Sequence, residues 1–148
     1  MPRTQISFAT CNLYNLNAPG QRIYSDENGW SQDEYERKRR WTAEKIADIR
    51  ADVWGFQELW HAASLTDVFS TANLSDEYTL LVPPNHAGGK IVCAGAVRSD
   101  ILVGEPEWIE TFPGYFRLSS SGDDDQTSEI AVLISHFFFQ IADLVSQI

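Results

Sequence analysis

Hydrophobic and polar positions change rhythm several times along this chain, and each change marks an element. Residues 5–11, QISFATC, alternate with the period of a half-buried strand and end at Asn12. The stretch NLYNLNAPGQ follows, rich in Asn and closed by Pro-Gly, which predicts a turn and then a polar loop as far as Trp30. Ser31, with Glu34 three positions on, has the capping-box pattern that opens a helix. Helical periodicity then runs to about Arg50, with Tyr35, Ala43, Ile46, Ala47 and Ile49 on the apolar side. After Asp52 comes VWGFQELW, whose Val53, Trp54 and Phe56 have the apolar, β-favouring character of an interior strand. HAASLTDVFSTANL reads as a second amphipathic helix, and YTLLVPP as a strand stopped by two prolines that cannot donate to a ladder. IVCAGAVRS is another strand, and residues 101–103 with 108–110 suggest a hairpin. A polar loop over 119–129, an apolar strand EIAVLISHFFFQ and a short terminal helix IADLVSQI complete the reading.

Strands and helices are thus mixed along the chain, which predicts an α/β (α+β) fold: a layered mixed sheet with flanking helices. In such folds functional groups collect where strands end. Three predicted strands end on a polar group: Asn12 after SFATC, Glu58 after VWGFQ, and His136 after AVLIS. Each has an ordinary reading as a turn residue, an exposed strand end and a satisfied core histidine respectively. Glu58 raises the sharper question, because an unpaired buried carboxylate costs several kcal/mol or gives up its charge. Either the strand surfaces there, or the carboxylate faces a cation.

Composition narrows the field. A chain of 148 residues, 43% hydrophobic, is one domain's worth and can bury a core. A net charge of −10 weighs against a duplex-binding module, which needs a basic face, but not against an enzyme that meets phosphate through a metal ion. The basic run at residues 37–40 reads as a solvated helix face pairing with Asp33, Glu34 and Glu36 rather than as a phosphate patch. Gly88-Gly89-Lys90 lacks the frame of a phosphate loop and reads as a turn into a strand. Cys11 and Cys93 form no CxxC pair and read as buried free thiols. The start of the chain lacks the apolar region of a signal peptide, and no apolar stretch approaches the ~18 residues of a membrane span. A cytoplasmic protein without a membrane span is expected.

The same residues carry a resemblance. SFATCNLYNL resembles the first-strand motif of the endonuclease/exonuclease/phosphatase superfamily, and DVWGFQEL resembles its second-strand motif with the Gln-Glu pair. ERKRRWTAEKIADIRAD is similar to the helix between them, GGKIVCAGAVRSDIL to the central strand pair, and EIAVLISHF to the strand bearing a phosphate-contacting histidine. The resemblance implies half of a deoxyribonuclease I-like four-layer sandwich and a metal-dependent hydrolase of phosphate esters. It implies that Glu58 ligates Mg²⁺ or Mn²⁺ and that Asn12 helps to hold the metal or the phosphate. Gln57 would brace the site and His136 would contact a phosphate oxygen, so that Asn12 and His136 take the catalytic positions.

One departure matters. The second-half Asp-x-Asn and Ser-Asp-His motifs of that family are not found; the histidines are His61, His86 and His136. Residues 1–148 are therefore expected to form a single, incomplete domain with a weakly bound metal. General acid–base help is worth ~10²–10⁴ in rate, so weak or absent activity is expected of the chain alone. The alternative is a non-catalytic fragment or interaction module that keeps only the scaffold. An open sheet face would in either case favour self-association or pairing with another chain.

Overall fold

The structure, a computed structural model, describes residues 5–25, 29–84, 89–106 and 108. Among them lie β1 (Phe8–Leu16), α1 (Gln32–Ile49), β2 (Val53–Leu59), α2 (Ala62–Thr71), β3 (Tyr78–Leu81) and β4 (Val92–Arg98). All six belong to one compact unit, Met1–Leu102; the described part of the second unit, Val103–Ile148, contains no helix or strand. The predicted order of strand, helix, strand, helix, strand, strand is the order observed.

Helix α1 begins where the capping box places it. Ser31 Oγ accepts the Glu34 N–H, and the Glu34 carboxylate accepts the Ser31 N–H at 2.9 Å. Two otherwise unmet backbone donors are satisfied, and Asp33 and Glu34 sit favourably at the positive end of the helix dipole. The helix stops at Arg50, which takes the left-handed conformation (φ 47°) and donates its N–H to the Ile46 carbonyl at 2.9 Å. Tyr35, Ala43 and Ile46 are buried as expected. Ile49 is not: it is 58% exposed, lying in the last turn just before Arg50 bends the chain away.

The sheet order is β1-β2-β4-β3. β1 and β2 are parallel, which requires the long crossover that α1 provides; β4 runs antiparallel to both β2 and β3. The register aligns Ala9 with Trp54, Cys11 with Phe56, and these in turn with Ala96 and Ala94. That face joins Tyr35, Ala43 and Ile46 of α1 and Leu65, Val68 and Phe69 of α2 in one core cluster. Trp54 stacks on Phe56 at 5.6 Å, and Phe56 meets Phe69 edge-on at 6.2 Å. Side chains of this size stabilise by roughly 1.5–3 kcal/mol each when buried, so this layer holds the sheet flat against the helices. The opposite face carries Phe8, 52% exposed, with Thr10, Asn12 and Gln57.

Two expectations need correction. β1 does not end at Asn12 but continues to Leu16, because Tyr14 (φ 47°) and Asn15 (φ 58°) form a bulge that the strand passes through. The first five residues of the Asn-rich stretch, 12–16, are therefore strand, and the turn falls at Pro19-Gly20 where the sequence places it. Residues 101–103 are not in a strand. Residues 109–110, the 119–129 loop, the strand with His136 and the terminal helix lie outside the described residues. Cys11 and Cys93 are free thiols, and burial pushes the Cys93 thiol up to about 11. No helix among the described residues is long and apolar enough to cross a membrane.

Candidate functional site

Regular pairing of β1 with β2 runs to Asn12 opposite Gln57 and then slips, resuming only at Leu16 opposite Leu59. At this slip three non-glycine residues adopt left-handed backbone: Tyr14, Asn15 and Glu58 (φ 62°). Each such residue costs on the order of 1 kcal/mol, less for Asn, whose short side chain tolerates the conformation. The consequence is directional. Strict alternation would send Glu58 to the face opposite Gln57, whereas the bend at Glu58 sets its carboxylate beside Asn12.

The geometry there is well determined by donors and acceptors. Asn12 Nδ2 donates to Glu58 Oε1 at 2.8 Å, and the Asn15 N–H donates to Glu58 Oε2 at 3.1 Å. The Tyr14 N–H donates to Asn12 Oδ1 at 2.7 Å. A backbone N–H can only donate, so the Asn12 amide oxygen must face Tyr14 and its NH₂ must face the carboxylate. Asn15 is itself clamped by two tryptophans: Trp60 Nε1 donates to its Oδ1 at 2.9 Å and Trp30 Nε1 to its carbonyl at 2.7 Å. Gln57 acts one step back from these atoms. Its Nε2 donates to Thr10 Oγ1 at 2.9 Å, tying β2 to β1 beneath the site.

The structure thus brings Asn12, Gln57 and Glu58 together where the regular pairing of two neighbouring parallel strands slips. Glu58 and Gln57 are half-buried and Asn12 is exposed. His136 lies outside the described residues. Two features were not anticipated. The backbone of Tyr14 and Asn15 orients Asn12 and the carboxylate, and only the Asn content of NLYNLN hinted at left-handed conformations there.

The second is Lys38. Of the basic run, Arg37 and Arg40 are exposed and Arg39 pairs with Glu36, as a solvated face predicts. Lys38 instead turns inward. Its ammonium lies 5.0 Å from the Tyr14 ring centroid and 5.1 Å from that of Trp30, contacts worth about 0.5–1 kcal/mol each when exposed. Burial lowers its pKa, while the Cys11 thiol and the Glu58 carboxylate pull it back up. The signal was present in the spacing: Lys38 stands three residues after Tyr35 and four before Thr42, both buried, and so lies on the inner stripe of α1. Tyr24 closes the other side, edge-on to Trp60 at 5.1 Å, its phenol pKa raised by burial and by the charge of Glu58.

Glu58 suits a hard divalent cation. Each of its oxygens accepts one hydrogen bond, which leaves lone pairs on both, and such ions prefer oxygen ligands while keeping several waters. Asn12 braces that carboxylate through its NH₂, and its oxygen, which accepts one hydrogen bond from Tyr14, keeps a lone pair that could face a cation. Among the described residues no three His, Cys, Asp or Glu side chains cluster as a metal cage.

Fold and site together define a mixed α/β layer that holds a carboxylate, an amide and a half-buried lysine where the pairing of its first two strands slips. No protein-family profile and no curated protein matches the sequence. Among solved structures the chain is similar to the endonuclease/exonuclease/phosphatase from Bacteroides vulgatus, with 17% identity and a TM-score of 0.43 over 66% of this chain and 33% of that one. It is similar also to an endonuclease/exonuclease/phosphatase family protein from Bacteroides thetaiotaomicron, with 16% identity and a TM-score of 0.42 over 64% of this chain and 31% of that one. The chain spans about a third of the length of these solved structures.

Proposed function

We propose that this chain is a metal-dependent phosphoesterase domain in which Glu58 holds Mg²⁺ or Mn²⁺ against a phosphate ester. The observation that carries this reading is the carboxylate on left-handed backbone, fixed by Asn12 and the Asn15 N–H at the bulge between β1 and β2. Regular backbone would cost less and would turn Glu58 to the other face. What the bend secures is a preset carboxylate with lone pairs to spare.

A divalent ion held there supplies Lewis-acid polarisation of a phosphoryl oxygen. The chain's own residues do the positioning. Asn12 and the Asn15 N–H hold the two carboxylate oxygens in place, so that little reorganisation accompanies binding. Gln57 and Thr10 keep the two strands in register under the site. The net charge of −10 favours a small phosphate ester over duplex nucleic acid.

The test is a Mn²⁺ titration of the purified chain, read by the loss of the free-ion paramagnetic resonance signal. It is paired with metal-dependent cleavage of bis-p-nitrophenyl phosphate. Weak, saturable binding that disappears in Glu58→Gln, with the circular dichroism spectrum retained, is the expected outcome. Binding that survives Glu58→Gln unchanged would remove the reading.

A further inference from the structure

We propose that Lys38, held over the rings of Tyr14 and Trp30 at the bulge that fixes Glu58, is the cation that receives a phosphate oxygen of the substrate. The proposal rests on the reading of Glu58 as the metal-holding carboxylate and names the second half of that site.

Three observations converge on it. First, the ammonium is presented and not merely exposed: two aromatic faces fix it at 5.0 and 5.1 Å, so a flexible side chain has lost much of its freedom in advance. Second, its charge is not spent. Among the described residues the ion pairs engage Arg39, Lys45, Arg50 and Arg98, and none engages Lys38. Aromatic faces attract a cation but leave its three N–H donors without acceptors, and those donors are what a phosphate oxygen requires. Third, Lys38 is tied to the carboxylate through the bulge: its ammonium lies over the Tyr14 ring, the Tyr14 N–H donates to Asn12 Oδ1 at 2.7 Å, and Asn12 Nδ2 donates to Glu58 at 2.8 Å.

Charge balance gives the arrangement its purpose. A phosphate anion approaching Glu58 meets a like charge. A divalent ion on the carboxylate reverses that locally, and Lys38 offers a second positive centre from a different element, α1. A phosphate held between the two is fixed at two oxygens, which sets its orientation as one contact cannot. The partial burial of the lysine strengthens that attraction relative to the exposed Arg37 and Arg40 on the same helix.

The competing role is structural: Lys38 would serve only to cap the Tyr14 and Trp30 rings and steady the bulge. The experiment separates the two. The full chain is titrated with inorganic phosphate in the presence of Mg²⁺, by calorimetry and by carbon-13 NMR of the lysine Cε signals. Phosphate should shift the Lys38 signal, and its affinity should fall by about tenfold or more in Lys38→Met, as expected for losing one charge-assisted hydrogen bond. Lys38→Arg should recover part of the loss, and Arg40→Met should behave as wild type. A Lys38→Met variant that fails to fold is replaced by Lys38→Gln, while the NMR shift of the unsubstituted chain needs no variant at all. Phosphate bound equally well by Lys38→Met, or not bound by the wild-type chain, overturns the proposal. A separate Mn²⁺ titration without phosphate keeps the two readings distinguishable. Metal binding kept in Lys38→Met and lost in Glu58→Gln leaves the metal reading standing, whatever the phosphate result.

Discussion

At the scale of single residues, this site depends on which neighbour bears charge. Asn12 is an amide that donates to Glu58 at 2.8 Å. In Asn12→Asp the donor becomes a second carboxylate, and two like charges that close cannot both ionise at low cost. One member of the pair is then raised above its unfolded value. The folded state binds the extra proton, so stability is full below the ordinary carboxylate range and falls as pH rises through the raised value. Thermal melts from pH 4 to 8 should show this loss in Asn12→Asp and not in wild type, and Mn²⁺ should reverse it at pH 7. Lys38 behaves in the opposite sense. Burial lowers its pKa, so the cost of keeping it charged persists at neutral pH and is relieved as pH rises from the lowered value towards the ordinary lysine range. Wild type should therefore gain stability relative to Lys38→Met across alkaline pH. Neither relationship was legible in the sequence, where Lys38 sits in a run of four basic residues and such runs are usually solvated. Glu58 was legible, because a carboxylate after Val53, Trp54 and Phe56 demands an explanation.

Elements were easier to read where a local rule governs them. Helix α1 starts at its capping box because the rule involves only residues 31–34 and the backbone between them. Ser31→Ala should cost about 1 kcal/mol in urea unfolding, since the Glu34 backbone N–H loses its acceptor. The end of β1 was misread for an equally physical reason. Asn tolerates left-handed backbone, and that property serves turns and bulges alike; which one forms depends on Leu16 finding Leu59 across the gap, a contact 43 positions apart. The tie between the helices is likewise non-local. Tyr35 of α1 donates its hydroxyl to Asp67 of α2 at 2.8 Å, and burial, aided by Asp67, pushes its pKa up to about 12. A phenol raised in the folded state stabilises fully below its ordinary value, and that stability is lost as pH rises towards 12. Tyr35→Phe should lose roughly 1.5–3 kcal/mol at neutral pH, as for a hydrogen bond to a charged group, and should show a flatter alkaline melt.

For the molecule as a whole, the sequence revealed the alternation of strands and helices but not the sheet order. β4 lies between β2 and β3, and no local pattern says that Gly95 of the fourth strand will face Gly55 of the second. Parallel pairing of β1 with β2 uses the helix between them as its crossover, and with the slip after Asn12 and Gln57 it lets Asn12 reach Glu58. The net charge of −10 acts at this scale too, and in one direction for metals. A chain of net negative charge concentrates divalent cations near its surface, and the effect is screened over a Debye length of about 10 Å at 0.1 M salt. Mn²⁺ affinity at Glu58 should therefore weaken steadily as monovalent salt is raised, beyond what the one local carboxylate explains. A loosely attracted ion shows the same slope without saturation, so Glu58→Gln should keep the salt-sensitive background and lose the saturable part. A saturable affinity that stays flat from low to physiological salt would mean that the ion is held by short-range ligands alone, with the acidic surface playing no part in gathering it.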